Sequence, residues 1–274
     1  MNILMIGNSY CYYFLEELWG IGHAAGVDMR IGSVYYDGCP LDKHWEFLRN
    51  GEANYVFITC QGTEVVKQKD FDLDHCLAAD SWDVITFQPG NGAFRRGGAE
   101  AARATVEPYL GYLLDYIKPK FPNATYYWQQ YWSPEVGNVN KVYAIDTVEK
   151  RNTFYEAVRT IALEVCKKHA LPRIPTGDAW QLVRDDPVIR EDGKTLCTRN
   201  YKGNPLFDDF SHDGDVGGGQ YLNACVWFEM LTRKSCLGNT YRPEDYILPE
   251  EKVTVLQKAA HEAVAGVYGE DYAK

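Results

Sequence analysis

Residues 3–6 form an unbroken apolar run that stops at Gly7-Asn8-Ser9, and beyond it Phe14, Leu15, Leu18 and Ile21 recur at helical spacing. A short apolar run without alternation is the pattern of a central parallel strand covered on both faces. The chain therefore opens as strand, tight turn and helix, with Gly7 supplying the turn. Ser9 stands at the carboxyl end of that strand and close to a helix N-terminus, where free backbone N–H groups can stabilise an anion. A Gly-Asn-Ser turn is equally an ordinary helix cap, and this segment alone does not separate the two readings.

The same patterns continue downstream. Apolar, β-branched and aromatic runs predict strands over 27–36, 82–88, 124–131 and 173–176. Residues 54–60 and 63–69 read as a hairpin around Gln61-Gly62, expected to decorate an edge without carrying chemistry. Helical spacing covers 41–48, 72–79, 146–169, 218–232 and 249–268, and 99–117 reads as one long amphipathic helix stopped at Lys118-Pro119. The stretch 184–205 is polar and turn-rich, either a lid or a surface excursion. Strands alternating with helices predict an α/β fold, a three-layer α/β/α sandwich of flavodoxin-like order around a five-stranded, mostly parallel sheet.

Composition narrows the class. A chain of 274 residues with 46% hydrophobic content can bury a large core, and no Pro/Gly/Ser-rich linker divides it, so residues 1–274 read as one domain. Net charge is -10 with Lys and Arg scattered, which argues against nucleic acid and against anionic membrane as partners. The eight cysteines show no C-x-x-C pair or zinc-finger spacing, so no metal and no cofactor are expected. The chain lacks a basic segment followed by an apolar one, and no apolar run approaches the roughly 18 residues of a membrane span. The simplest expected compartment is bacterial cytoplasm, while a chain shorn of a signal peptide, secreted or periplasmic, would read the same.

A second segment changes the weight given to Ser9. In Leu206-Phe207-Asp208-Asp209-Phe210-Ser211-His212 a carboxylate and an imidazole stand three apart, so one bend lets Asp209 orient His212 toward Ser9. Together, Gly7-Asn8-Ser9 and Asp209-x-x-His212 resemble the first and last blocks of the SGNH (GDSL-type) hydrolases. The tail with Gly219-Gln220-Tyr221-Leu222-Asn223 and Leu231-Thr232 is similar to a bacterial branch of that superfamily catalogued as a domain of unknown function. Asp208 competes with Asp209 as partner of the histidine, but falls outside the D-x-x-H pattern.

What the resemblance implies is a serine esterase with Ser9, Asp209 and His212 as catalytic triad. Its oxyanion hole would be made by the backbone N–H groups of Ser9 and Gly38 and by the Asn91 amide. The family pattern has one residue between glycine and asparagine, whereas Asn91 directly follows Gly90, so the strand-end Gln88 is the alternative donor. Tyr10, His44, Gln88, Gln130 and Trp132 would line the substrate pocket, and Asp178 is either a pocket carboxylate or a helix cap. Aromatic faces interleaved with amides suit a sugar, whose C–H face stacks while its hydroxyls are read by hydrogen bonds. The expected activity is hydrolysis of short-chain, acetyl esters of carbohydrates. The alternatives are an acyl-esterase or thioesterase of the same superfamily, or a glycan-binding protein without catalysis.

Overall fold

The computed structural model describes residues 1–62, 64–90, 92–134, 136, 145–189, 218–243 and 248–273. Among these, seven strands form one sheet: β1 (Asn2–Gly7), β2 (Arg30–Tyr35), β3 (Tyr55–Gln61), β4 (Glu64–Phe71), β5 (Val84–Phe87), β6 (Thr125–Gln129) and β7 (Arg173–Ile174), in the spatial order β4-β3-β2-β1-β5-β6-β7. From β2 to β7 every pairing is parallel, which gives the five strands expected. The sheet is nevertheless seven-stranded, because the β3–β4 hairpin joins it antiparallel to β2, with Val34 opposite Phe57 and Tyr35 opposite Val56. The hairpin is thus an extension of the sheet instead of an ornament beside it.

Nine helices complete the described chain: α1 (Leu15–Ala24), α2 (Leu41–Asn50), α3 (Leu73–Ala78), α4 (Gly92–Val106), α5 (Tyr109–Ile117), α6 (Val148–His169), α7 (Thr176–Val183), α8 (Gly219–Thr232) and α9 (Glu250–Tyr268). The single helix expected over 99–117 is two. Pro108 has no N–H to donate back along the helix, and its ring opposes the preceding turn, so α4 ends at Val106 and α5 starts afresh at Tyr109. A further kink falls at Gly98, whose φ of 71° only glycine adopts without cost.

The strand period of two assigns the core. Ile3 and Met5 face one layer, with Phe14 and Leu18 of α1 and much of α7, α8 and α9. Leu4 and Ile6 face the other, with Phe47 of α2, Val106 of α4 and Leu113 of α5. The long helix α6 serves both, placing Phe154 and Val158 in the first cluster and Ile161, Ala162 and Val165 in the second. α8 is buried from Gly219 to Met230, without a solvent stripe, because α1, α7 and α9 enclose it. Two of its buried polar side chains are paired: Asn223 accepts from Trp180 Nε1 at 2.7 Å, and Glu229 accepts from the Cys236 N–H at 2.6 Å and faces His261 Nδ1 at 3.1 Å.

Candidate active site

β1 runs through the middle of the sheet, so its carboxyl end opens among the turns that follow β2 and β5. Ser9 begins a single 3-10 turn, Ser9–Cys11, immediately beyond that end, and is 5% exposed. Gly7 is required there by close approach, since a Cβ would fall 2.8 Å from Gln88 Oε1 and 3.0 Å from Cys11 Sγ. The neighbouring thiol is not a rival nucleophile, because burial pushes Cys11 up to about 12.

Asn8 holds this turn in place. Its Oδ1 accepts from the Tyr10 N–H at 3.2 Å and from Gln88 Nε2, while its Nδ2 donates to the carbonyls of Cys39 at 3.1 Å and Pro89 at 3.3 Å. Both lone pairs and both hydrogens of the amide are therefore used at a side chain that is 1% exposed. The three segments so joined are the nucleophile turn, the Gly38-Cys39 turn after β2 and the Pro89-Gly90 turn after β5. The last two also touch directly, for a Cβ on Gly90 would lie 2.9 Å from Pro40 Cα. Gly38 has φ of 59°, the left-handed region, with open space where a side chain would be, so it is glycine for its backbone and not for lack of room.

The other residues expected at this site divide sharply. Asn91, Asp209 and His212 lie outside the described residues, as do 190–205 of the segment read as a lid. Gln88 is buried and its side-chain nitrogen donates to Asn8 Oδ1, which makes it a brace of the turn. Gln130 is engaged at both ends, its Oε1 by Arg173 and its Nε2 by Asp178 at 2.8 Å. Asp178 in turn accepts from the Tyr155 hydroxyl at 2.9 Å and pairs with Arg173 at 2.6 Å; it sits in the first turn of α7, where Pro175 is the capping residue, and is a structural anion.

Tyr10 and Trp132 are core residues as well. Tyr10 lies between Tyr131 at 5.1 Å and Trp132 at 4.6 Å between ring centroids, and Trp132 stacks on Trp180 at 4.7 Å. The partly exposed aromatic surface next to Ser9 is built from Tyr12, Tyr13 and Tyr35, with Tyr12 4.6 Å from Tyr13 and 5.0 Å from Tyr35. Lys67 of β4 reaches over it, its Nζ 2.8 Å from the Tyr12 hydroxyl. Tyr13 is further fixed by Gln220 of α8, which donates to its carbonyl, and Gln129 of β6 donates to the Tyr10 carbonyl at 3.0 Å. The contacts of Asn8 with Cys39 and of Gln129 with Tyr10 are not readable from local spacing, since the partners lie 31 and 119 residues away.

His44 is enclosed beneath the nucleophile turn and not at a pocket wall. It is fully buried on α2, its Nδ1 2.9 Å from the Tyr55 hydroxyl and its ring stacked on that of Tyr55. Burial lowers its pKa to about 4, with the Gly7 backbone acting in the opposite sense. The unfolded chain therefore binds this proton more tightly than the folded one. The stability concerned is fully present above the ordinary histidine range and is lost as pH falls from there to about 4. The loss expected is about 3 kcal/mol. Urea unfolding at neutral pH and near pH 4 checks it: His44→Gln should show a shallower acid loss than the wild type, and an equal slope in both would remove His44 as its source.

Among the described residues no cluster of three or more His, Cys, Asp or Glu could hold a metal ion, and no helix is long and apolar enough to cross a membrane. Residues 2–263 match the family DUF4886, a domain of unknown function. A DUF4886 family protein from Bacteroides uniformis has 23% identity and a TM-score of 0.76, with 99% of this chain and 96% of that one covered. Weaker likenesses include a catalytic mutant of an acetylxylan esterase from Geobacillus stearothermophilus (10% identity, 85% of this chain and 92% of that one, TM-score 0.46). Another is phospholipase A1 from Streptomyces albidoflavus (12% identity, 84% and 97%, TM-score 0.45). No curated protein sequence matches the chain.

Proposed function

The chain belongs to the DUF4886 family, and we propose that it is a serine esterase of the SGNH kind that removes short acyl groups, acetyl foremost, from carbohydrates. The observation that carries this reading is the placement of Ser9. It opens a tight turn at the carboxyl end of a central strand, and Asn8 ties that turn to the two neighbouring strand-end turns on which the oxyanion donors are expected. A serine that only capped a helix would need no such convergence.

In this mechanism Ser9 Oγ attacks the ester carbonyl while His212 takes its proton, and Asp209 holds the imidazole in the correct tautomer. The oxyanion is met by the N–H groups of Ser9 and Gly38 and by the Asn91 amide. Collapse expels the alcohol, protonated by His212, and leaves an acyl-enzyme. Water, deprotonated by the same imidazole, then releases the acid and restores Ser9. The sugar on the leaving side is met by Tyr12, Tyr13 and Tyr35, whose rings offer flat faces.

Treatment with a fluorophosphonate, read by intact mass, should add one adduct to the wild type, and peptide mapping should place it on Ser9. A peracetylated monosaccharide should release acetate under the same conditions, faster than an octanoyl ester is cleaved. A protein that is neither labelled nor active on any ester overturns the esterase reading and leaves the exposed tyrosine surface as a glycan-binding site.

A further inference from the structure

The hairpin of β3 and β4, expected from sequence to carry no chemistry, brings a cation to the tyrosine surface beside Ser9. Lys67 of β4 stands opposite Ile58 of β3, and Ile58 opposite Ser33 of β2, so by the strand period of two Lys67 shares a sheet face with Tyr35. Tyr12 arrives from the other direction, since it closes the 3-10 turn of the nucleophile with its N–H 3.4 Å from the Ser9 carbonyl. The Lys67 ammonium donates to the Tyr12 hydroxyl at 2.8 Å and lies 4.7 Å from the ring centroid, at the hydroxyl end of the ring.

We propose that Lys67 and the Tyr12 hydroxyl together bind a carboxylate, so that the substrate is an acetylated sugar bearing a uronic acid; this rests on the esterase reading above. Charge is the first argument. Lys43, Lys120, Lys150 and Lys168 each lie within 3.1 Å of an acidic side chain, whereas no carboxylate among the described residues pairs with Lys67. Its cation is left for a partner from solution.

The free donors are the second argument. An ammonium has three hydrogens, and Lys67 gives one of them to Tyr12. The Tyr12 oxygen accepts there, so its own O–H is directed elsewhere, and among the described residues it has no acceptor. Two donors thus stand 2.8 Å apart at the edge of the surface, a spacing that the two oxygens of one carboxylate can meet together.

Direction is the third. At the other end of the surface the Tyr35 hydroxyl donates to Asp37 Oδ1 at 3.4 Å, which places a negative charge next to Gly38. A uronate is drawn to the β4 end and repelled from the Gly38 end, so the two charges fix which way the sugar lies. The acetyl ester then falls toward Ser9 and the carboxylate away from it.

The test measures acetate release from a monoacetylated disaccharide of glucuronic acid and xylose, and from the same disaccharide with its carboxylate converted to the amide. The wild type should favour the acid by about fivefold or more in kcat/KM. The preference should lie in KM, because the contact is the same in ground and transition states. Lys67 is exposed, so replacing it leaves the core untouched. Lys67→Met should bring the ratio of acid to amide to about one, Lys67→Arg should keep it, and Tyr12→Phe, which retains the ring, should lower it. A wild-type ratio within about twofold of one, or a preference undiminished in Lys67→Met, overturns the uronate site and leaves the esterase standing. So does a protein that takes the fluorophosphonate on Ser9 but releases no acetate from the acid. A wild type that releases no acetate from any ester and takes no label overturns both.

Discussion

Ser9→Ala should lower kcat/KM for p-nitrophenyl acetate by about 10⁴- to 10⁶-fold, to the level set by binding and oxyanion stabilisation alone. The size follows from what is removed. Without Oγ there is no acyl-enzyme, and the imidazole at His212 has no proton to collect. The rest of the turn survives, because its geometry is held by Asn8, which Gln88 braces in turn. Stability should accordingly change little, and the variant should unfold at close to the wild-type temperature. His212→Ala should cost nearly as much, and the double variant little more than either single one, since members of a triad act as a unit. Losses that instead multiply, or a Ser9→Ala protein with more than a few per cent of wild-type turnover, would place the nucleophile elsewhere.

Asn8→Ala should lower kcat by about 100-fold while KM moves by no more than about twofold. Asn8 touches no substrate in the proposed mechanism; it positions the groups that do. Its Nδ2 pins the carbonyl that follows Gly38 and the carbonyl that precedes Gly90, so its loss frees both donor-bearing turns to shift relative to Ser9. A misplacement on the order of 1 Å costs about two orders of magnitude in a reaction that depends on alignment. Two buried carbonyls also lose their donor, which lowers stability by about 2 kcal/mol or more. Asn8→Asp separates the roles: it keeps volume and acceptors but has no donor, so it should be as slow as Asn8→Ala. Fluorophosphonate labelling should slow in parallel with kcat, measured well below the unfolding midpoint. A purely structural role would show as reduced stability with kcat intact.

How far these assignments were legible in sequence depends on the range of the interaction involved. The strand at the N-terminus, the hairpin around Gln61-Gly62 and the long amphipathic pattern of α6 follow from periodicities of two and 3.6 residues, which any short window displays. Pro108 was visible too, yet the apolar pattern on either side of it reads through, and only the structure shows α4 and α5 as separate helices. The pairing of β3 with β2 depends on matching one strand to another some twenty residues away, which local pattern does not specify. Tyr10, His44, Gln130 and Trp132 carry the residue types of a pocket wall, and burial put each of them in the interior. Exposure is a property of what covers a side chain, and the covering groups, Trp180 over Trp132 or Tyr55 over His44, come from other elements.

By itself the sequence determined that a serine would stand at the end of an apolar strand, on a glycine turn leading into a helix, because those features arise from residues within a few positions of one another. Only the tertiary structure decided what surrounds that serine. Asn8 meets Cys39 and Pro89 across 31 and 81 residues. Such contacts are set by packing of the whole sheet, where the alternation along each strand fixes its faces but leaves its neighbours open.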